Sequence, residues 1–254
     1  MSFSRQGRKY KFPPVVEALA EVHFESAEFD PTLPGIFYEA IRGDFPTKQQ
    51  IETLGVQLMT SGGEQMAAVK KGQPTIRFLS ADGSRAVQIG SGVISVHQMR
   101  PYPQFKDWLP TFEKVFGQYV NIIGSPSVKQ VTIRYLNEIK IPAKEQTINM
   151  GPYFGLYPQV PKTLGEQHNQ FVLRIELIPP IPRHYLLATF GTAPKPSPTA
   201  AAFALDLYDQ IQFPSGLPCS KVMDMVKEAH GNVEWGFEGI ITDELRRIFK
   251  EEKR

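Results

Sequence analysis

The stretch Phe105-Lys106-Asp107-Trp108-Leu109-Pro110-Thr111-Phe112-Glu113-Lys114-Val115-Phe116-Gly117-Gln118-Tyr119-Val120 decides the fold class. Phe105, Trp108, Leu109, Phe112, Val115, Phe116, Tyr119 and Val120 recur at the i, i+3, i+4, i+7 spacing of one helical face. The spacing predicts a helix over 104–120, stopped by Gly124 and Pro126. A helical face this broad and aromatic has to be covered, and a sheet is the element that covers it.

The segments around it supply that sheet. In 15–25, Val16, Ala18, Ala20, Val22 and Phe24 alternate with Glu17, Leu19, Glu21, His23 and Glu25, the pattern of a half-buried strand. A short helix is expected over 33–44. Strands follow at 52–60, 65–70, 74–80, 85–90 and 93–99, with Asp82-Gly83 as a hairpin turn. After the long helix the order repeats. A strand at 128–140 carries Val131, Ile133, Tyr135 and Ile139 on one face, and a short helix is read at 149–157. Strands come next at 170–178, 184–191 and 202–209, then a helix at 218–230 and a last helix at 243–250 with Thr242 as its N-cap. The expected fold is α+β: a tandem duplication of an antiparallel sheet wrapping a long helix, in the helix-grip or TATA-binding-protein-like manner, with the two sheets joined edge to edge. The parts are a flexible basic arm (1–12, with Arg5, Arg8, Lys9 and Lys11), an N-terminal half (13–124) and a C-terminal half (125–254).

Composition narrows the function classes. The chain has 254 residues, 41% of them apolar, which excludes global disorder. A net charge of +2 argues against coating nucleic acid by bulk charge. The single cysteine, Cys219, excludes an internal disulfide and a cysteine-based zinc site. No apolar run reaches the ~18 residues of a membrane span. The basic start lacks the apolar region of a secretory signal, so a cytoplasmic location is expected. Thirteen of the 22 prolines lie between 126 and 218, which predicts sharply bounded strands there and marks 141–169 and 191–202 as loops.

Phosphate-loop, dinucleotide, nucleophile-elbow, zinc-protease and EF-hand motifs are absent, so no cofactor, metal ligand or catalytic residue is assigned. Four features remain. Glu17 shares a strand face with Glu21, His23 and Glu25, a grouping suited to acid–base work, to binding a metal, or to a solvated sheet face on which Glu17 fixes the strand entry by accepting backbone bonds. Asn137 falls on the apolar face of its strand, where a buried amide needs partners: it either ties two strands or is a polar anchor in a ligand groove, with Arg134 as an anion contact. Tyr153, Phe154 and Tyr157, flanked by Lys144 and Lys162, form a surface for stacking on bases or for a protein contact, or else a flap packed on the sheet. His230 and Glu234 share a face if the helix continues past Gly231, which permits a His–carboxylate pair; otherwise the segment caps one helix before the next, with Trp235, Phe237 and Ile240 in the core.

Pro13-Pro14-Val15-Val16-Glu17-Ala18, Arg134-Tyr135-Leu136-Asn137-Glu138-Ile139, Leu205-Asp206-Leu207-Tyr208, and His230 followed by Phe237 and Thr242 together span nearly the whole chain. In order and spacing they resemble a sporadically distributed, uncharacterised bacterial family of about this length. That family brings no catalytic residues and no cofactor. Its patchy distribution is similar to that of defence or mobile-element genes.

The expected function is therefore a non-catalytic binding or interaction protein, an accessory subunit of a bacterial defence or mobile-element system, with a protein partner or a second copy of itself. One alternative is a nucleic-acid-binding or nucleic-acid-processing protein, with the basic arm, Arg77, Arg85, Arg100 and the Tyr153 loop as its path. The other is a small-ligand carrier, against which the bulk of Trp108, Phe112 and Phe116 argues. No membrane contact is expected.

Overall fold

The computed structural model describes residues 7–25, 30–51, 54–61, 64–71, 75–142, 148–165, 169–197 and 199–252. Arg5 and Lys144 lie outside them. The order is β1 (Val15–Phe24), α1 (Leu33–Ile41), β2 (Thr47–Ile51), β3 (Leu54–Ser61), β4 (Glu64–Lys71), β5 (Thr75–Leu79), β6 (Arg85–Gly90), β7 (Val93–Met99) and α2 (Phe105–Ile123). Then come β8 (Val128–Pro142), β9 (Val172–Leu177), β10 (Tyr185–Ser197), β11 (Ala200–Leu217), α3 (Val222–Ile240) and α4 (Asp243–Phe249).

Among the described residues, one nine-stranded antiparallel sheet runs β2-β5-β6-β7-β1-β8-β11-β10-β9, with β3 and β4 as a separate hairpin. The first strands of the two halves, β1 and β8, pair at its centre, with Ala20 opposite Ile133. Outward from β1 come β7, β6 and β5; outward from β8 come β11, β10 and β9. In each half the strand that precedes the long helix lies beside the first strand.

One face of this sheet carries the core. Ala18, Ala20 and Val22 of β1 are fully buried, as are Ile94 and Val96 of β7 and Val131 and Ile133 of β8. Helix α2 packs here through the aromatic face read from the sequence: Phe116 stacks on Phe24 at 6.3 Å, and Tyr119 meets Phe37 edge-on at 5.2 Å. Gly124 ends α2 at φ +78, and Gly83 takes φ +70 in the hairpin turn, left-handed backbone that favours glycine.

Several expectations change. Residues 149–157 form turns and an isolated bridge from Phe154 to Ile241 instead of a helix. Residues 191–197 pair with 200–204 as a hairpin in place of a loop, because Pro194 and Pro196 sit in a register shift between the Ala193–Ala202 and Ser197–Ala200 pairs and owe the ladder no N–H. Helix α3 continues to Ile240 through Gly231, Gly236 and Gly239. A Cβ at Gly236 would stand 3.3 Å from Leu186 Cδ2, so close packing on β10 wants a glycine there and outweighs its poor helix propensity. The polar strand β2 has no apolar alternation and was not expected. Thr242 occupies the N-cap position of α4, but its hydroxyl donates to the Pro152 carbonyl (2.5 Å) rather than into the helix.

The end of the basic arm is tied down. The Lys11 and Phe12 N–H groups donate to the carbonyls of Lys250 (3.0 Å) and Phe249 (2.9 Å), and Glu252 N–H donates to Lys9. The Tyr10 ring meets Phe249 edge-on at 5.7 Å.

Candidate functional site

Where the arm, the approach to α2, the middle of α3 and the central strands converge there is a cavity of about 780 Å³. Helix α3 lines it with His230, Val233, Glu234, Phe237 and Glu238, an i, i+3, i+4, i+7, i+8 stripe. Strand β8 supplies Tyr135 and Asn137, neighbours on its core face, and Leu207 of β11 lies beside them. Tyr102 and Phe105 enter from the segment leading into α2, and Pro13, Pro14 and Val15 from the start of β1.

Its polar end is a hydrogen-bonded row. The Tyr102 and Tyr135 hydroxyls are 2.7 Å apart, and Tyr135 Oη is 3.1 Å from His230 Nδ1. Phe105 stacks on the His230 ring at 3.7 Å, with the planes 12° apart. Burial holds His230 down to about 4, so the imidazole is neutral at pH 7 and its Nδ1 can accept a hydrogen bond from the Tyr135 hydroxyl. Burial also pushes both phenols well above their ordinary value. Asn137 is 2% exposed and donates through Nδ2 to the Leu205 carbonyl (3.0 Å), tying β8 to β11.

Glu234 stands next to this row. Burial first, and then the neighbouring Glu238 carboxylate, push its carboxyl up to about 7. The arm crosses directly over it: a Cβ at Gly7 would lie 1.6 Å from Glu234 Oε1, so a side chain there would displace the Glu234 carboxylate. Glu238 holds the arm in place. It accepts from the Tyr10 hydroxyl (2.6 Å) and from Arg246 Nε (3.0 Å), and the Arg8 guanidinium lies 3.5 Å away. Arg8 also pairs with Glu251 at 2.9 Å.

Of the residues singled out from the sequence, Asn137, His230 and Glu234 come together here. His230 and Glu234 do not pair with each other; the histidine turns to Tyr135 and Phe105. The others lie elsewhere. Arg134 projects from the opposite sheet face and forms a two-pronged bond to Asp206 (2.8 and 2.6 Å), so its charge is already engaged. Glu17, on that same face, bonds His97 Nδ1 at 2.7 Å, and His97 Nε2 meets Ser95 Oγ at 2.8 Å. The His97 bond holds the Glu17 carboxyl below its usual range. The row ties β1 to β7, with Ser95 and His97 buried. Glu21 bonds His23 separately at 2.6 Å.

The aromatic loop is built into the core. Phe154 is 1% exposed and packs on Phe190 (4.6 Å) and Phe203 (5.2 Å), so it offers no face to a base. Tyr153 and Tyr157 are half-buried against the same core. The arginines of the nucleic-acid path are dispersed among separate partners. Arg100 pairs with Glu138 at 2.7 Å, Arg85 lies over the Phe45 ring at 5.5 Å, and Arg77 reaches toward Met99 Sδ at 4.0 Å.

Sequence reading missed Gly7, Tyr102, Phe105 and Glu238. The α3 stripe was the available signal, because it continues from His230 through Phe237 and Glu238 at helical spacing. It also missed a second buried cluster behind α3. There Asp209 accepts from His184 Nδ1 (2.5 Å) and Asn232 Nδ2 (3.2 Å), with all three side chains enclosed. Cys219 donates its thiol to the Pro126 carbonyl at 3.2 Å. Among the described residues no group of three or more His, Cys, Asp or Glu side chains is placed to hold a metal ion, and no helix is long and apolar enough to cross a membrane. Comparison with protein-family models and with curated proteins finds no match to this chain.

Proposed function

We propose that the protein is a non-catalytic binding protein whose cavity takes a small, largely apolar molecule carrying one or two uncharged hydrogen-bonding groups. The observation that carries this reading is the meeting, in one cavity of about 780 Å³, of apolar walls with a buried, neutral polar row. The volume falls within the ~300–1,000 Å³ usual for ligand sites, and such sites pair apolar walls with a few converging polar groups. Perturbed protonation at His230 and Glu234 is a further mark of a functional cavity. Trp108, Phe112 and Phe116 do fill the space beneath α2, and the cavity opens beyond them, at the N-terminal end of that helix. Phe105 and Phe237 suit contact with an aromatic or aliphatic body, and Tyr102, Tyr135 and Glu234 suit a hydroxyl, carbonyl or amide.

The mirrored strand order about β1 and β8 supports tandem duplication of a sheet-and-helix unit of the helix-grip or TATA-binding-protein kind. A cavity between the sheet and its helices is where such a unit has room for a ligand.

Native mass spectrometry of the protein purified from its own host tests the reading directly. A bound small molecule is expected, and it is lost from a Val233→Trp variant whose indole fills the cavity. If the wild type carries no adduct, and binds no member of a neutral hydroxylated aromatic fragment set more tightly than Val233→Trp does, the reading fails.

A further inference from the structure

The sheet ends at β9, and this edge is unlike the other. Strand β2, at the far edge, is polar except for its last residue, Ile51. Among the described residues, strand β9 pairs with β10 on one side only. Along it Val172, Arg174 and Glu176 are exposed, while Leu173, Ile175 and Leu177 turn toward the core. Val172 is 73% exposed, and Ile178, next in the same alternation, is 91% exposed. Neither Arg174 nor Glu176 has an ionic partner among the described residues.

The backbone has the same parity. The Thr192 N–H donates to the Phe171 carbonyl at 3.1 Å. In an antiparallel ladder, residues bonded to the neighbouring strand alternate with residues whose N–H and C=O point away. Phe171, Leu173, Ile175 and Leu177 therefore bond inward to β10. Val172, Arg174, Glu176 and Ile178 present their N–H and C=O groups to the open edge. An edge of this kind is a template for another strand unless something covers it or turns strands away.

We propose that β9 is a homodimer interface, pairing antiparallel with β9 of a second copy about a two-fold axis through Ile175, so that two sheets become one. The pattern is self-complementary in this register alone. With Ile175 opposite Ile175, Arg174 of one protomer faces Glu176 of its partner, and the two-fold repeats the pair. Val172 then faces Ile178, apolar against apolar. All four outward-bonding residues meet outward-bonding residues, so each such pair exchanges both of its backbone bonds. A slip of the axis by one residue either way places Arg174 against Arg174 or Glu176 against Glu176, and like charges directly opposite are destabilising. Charges that merely protected the edge would need no such pairing of sign with position.

The test uses the full chain in sedimentation-velocity runs from low to high micromolar concentration, with circular dichroism to confirm folding. The wild type is expected to sediment as a concentration-dependent dimer. Arg174→Glu and Glu176→Arg, each placing like charges opposite, are expected to lose the dimer. The double variant Arg174→Glu/Glu176→Arg is expected to regain it, because the pair is restored with its signs exchanged. A wild type that stays monomeric at every concentration overturns the proposal and leaves the edge to a strand of another protein. A dimer unaffected by the single reversals, or not restored by the double one, overturns it as well.

Discussion

Replacing Glu234 by glutamine should change how stability depends on pH, and the size of the change follows from where the carboxyl sits. Its pKa rises from the ordinary 4.5 to about 7 because burial and Glu238 disfavour the charge. A group that holds its proton more tightly when folded contributes stability that is fully present below pH 4.5 and is lost as the pH climbs through about 7. At about 1.4 kcal/mol per pH decade, that interval corresponds to at most about 3–4 kcal/mol. Water entering from the cavity mouth screens part of it. His230 acts in the opposite sense. Its pKa falls from 6.5 to about 4 through burial, so its contribution is present above 6.5 and is lost as the pH falls through about 4. Between pH 4.5 and 6.5 the two slopes oppose each other, and the wild type hides both. Glu234→Gln mimics the protonated acid and removes one slope. Urea unfolding followed by far-ultraviolet circular dichroism, in steps from pH 4 to pH 8, measures the difference. The variant should match the wild type at the acid end and gain progressively to about 2–3 kcal/mol above pH 7. Parallel curves for the two proteins over the whole range would refute the buried, protonated Glu234.

Two further perturbations probe the frame around the cavity. Asp209→Ala removes the carboxylate that holds His184 and Asn232 inside the protein; breaking a buried polar cluster from one side costs about 3–5 kcal/mol, and a loss under about 1 kcal/mol in urea unfolding at pH 7 would show that these groups are not energetically coupled. Gly216→Ala sets a side chain at φ +85 with its Cβ 1.9 Å from Ser127 Oγ; a drop in melting temperature equivalent to about 1–3 kcal/mol is expected, Ser127→Gly in the same chain should recover only the steric part, and an unchanged midpoint would contradict the strained turn.

What the sequence made legible is what local periodicity carries. β1 and α2 each bury one face, so alternation of two and repetition of 3.6 appear directly in the residue order. Strand β2 buries almost nothing and leaves no pattern to find. Helix α3 was cut short at Gly231 because glycine propensity is a local quantity. The reason for Gly236 is the Leu186 side chain, fifty positions away in sequence. Prolines in β10 hid a hairpin for the same reason: whether a missing N–H matters depends on which pairs the partner strand forms. His230 and Glu234 were visible as a helical i, i+4 pair, and a pairing between them was the local guess. The actual partners come from elsewhere. Tyr135 is 95 positions from His230, and the Phe105 ring comes from the other half of the chain.

That last point bears on why the cavity lies where it does. Each half supplies a sheet and a helix whose aromatic or aliphatic face fills its own space: Phe112 and Phe116 under α2, Val226 and Ala229 under α3. At the seam between β1 and β8, the α3 stripe from His230 to Glu238 faces the residues that lead into α2. Tyr102 and Phe105 reach across it from the first half and meet Tyr135 and His230 of the second, while the arm closes over Glu234 from outside. Duplicated halves related about such a seam would place equivalent residues at equivalent distances, yet here the first half contributes Tyr102 and Phe105 and the second Tyr135 with the acidic stripe of α3. A site made by that asymmetry cannot be seen in either half alone. It also follows that the residues most worth exchanging in search of ligand specificity are the ones facing across the seam, Tyr102, Phe105, Tyr135 and Glu234, and not those of either packed core.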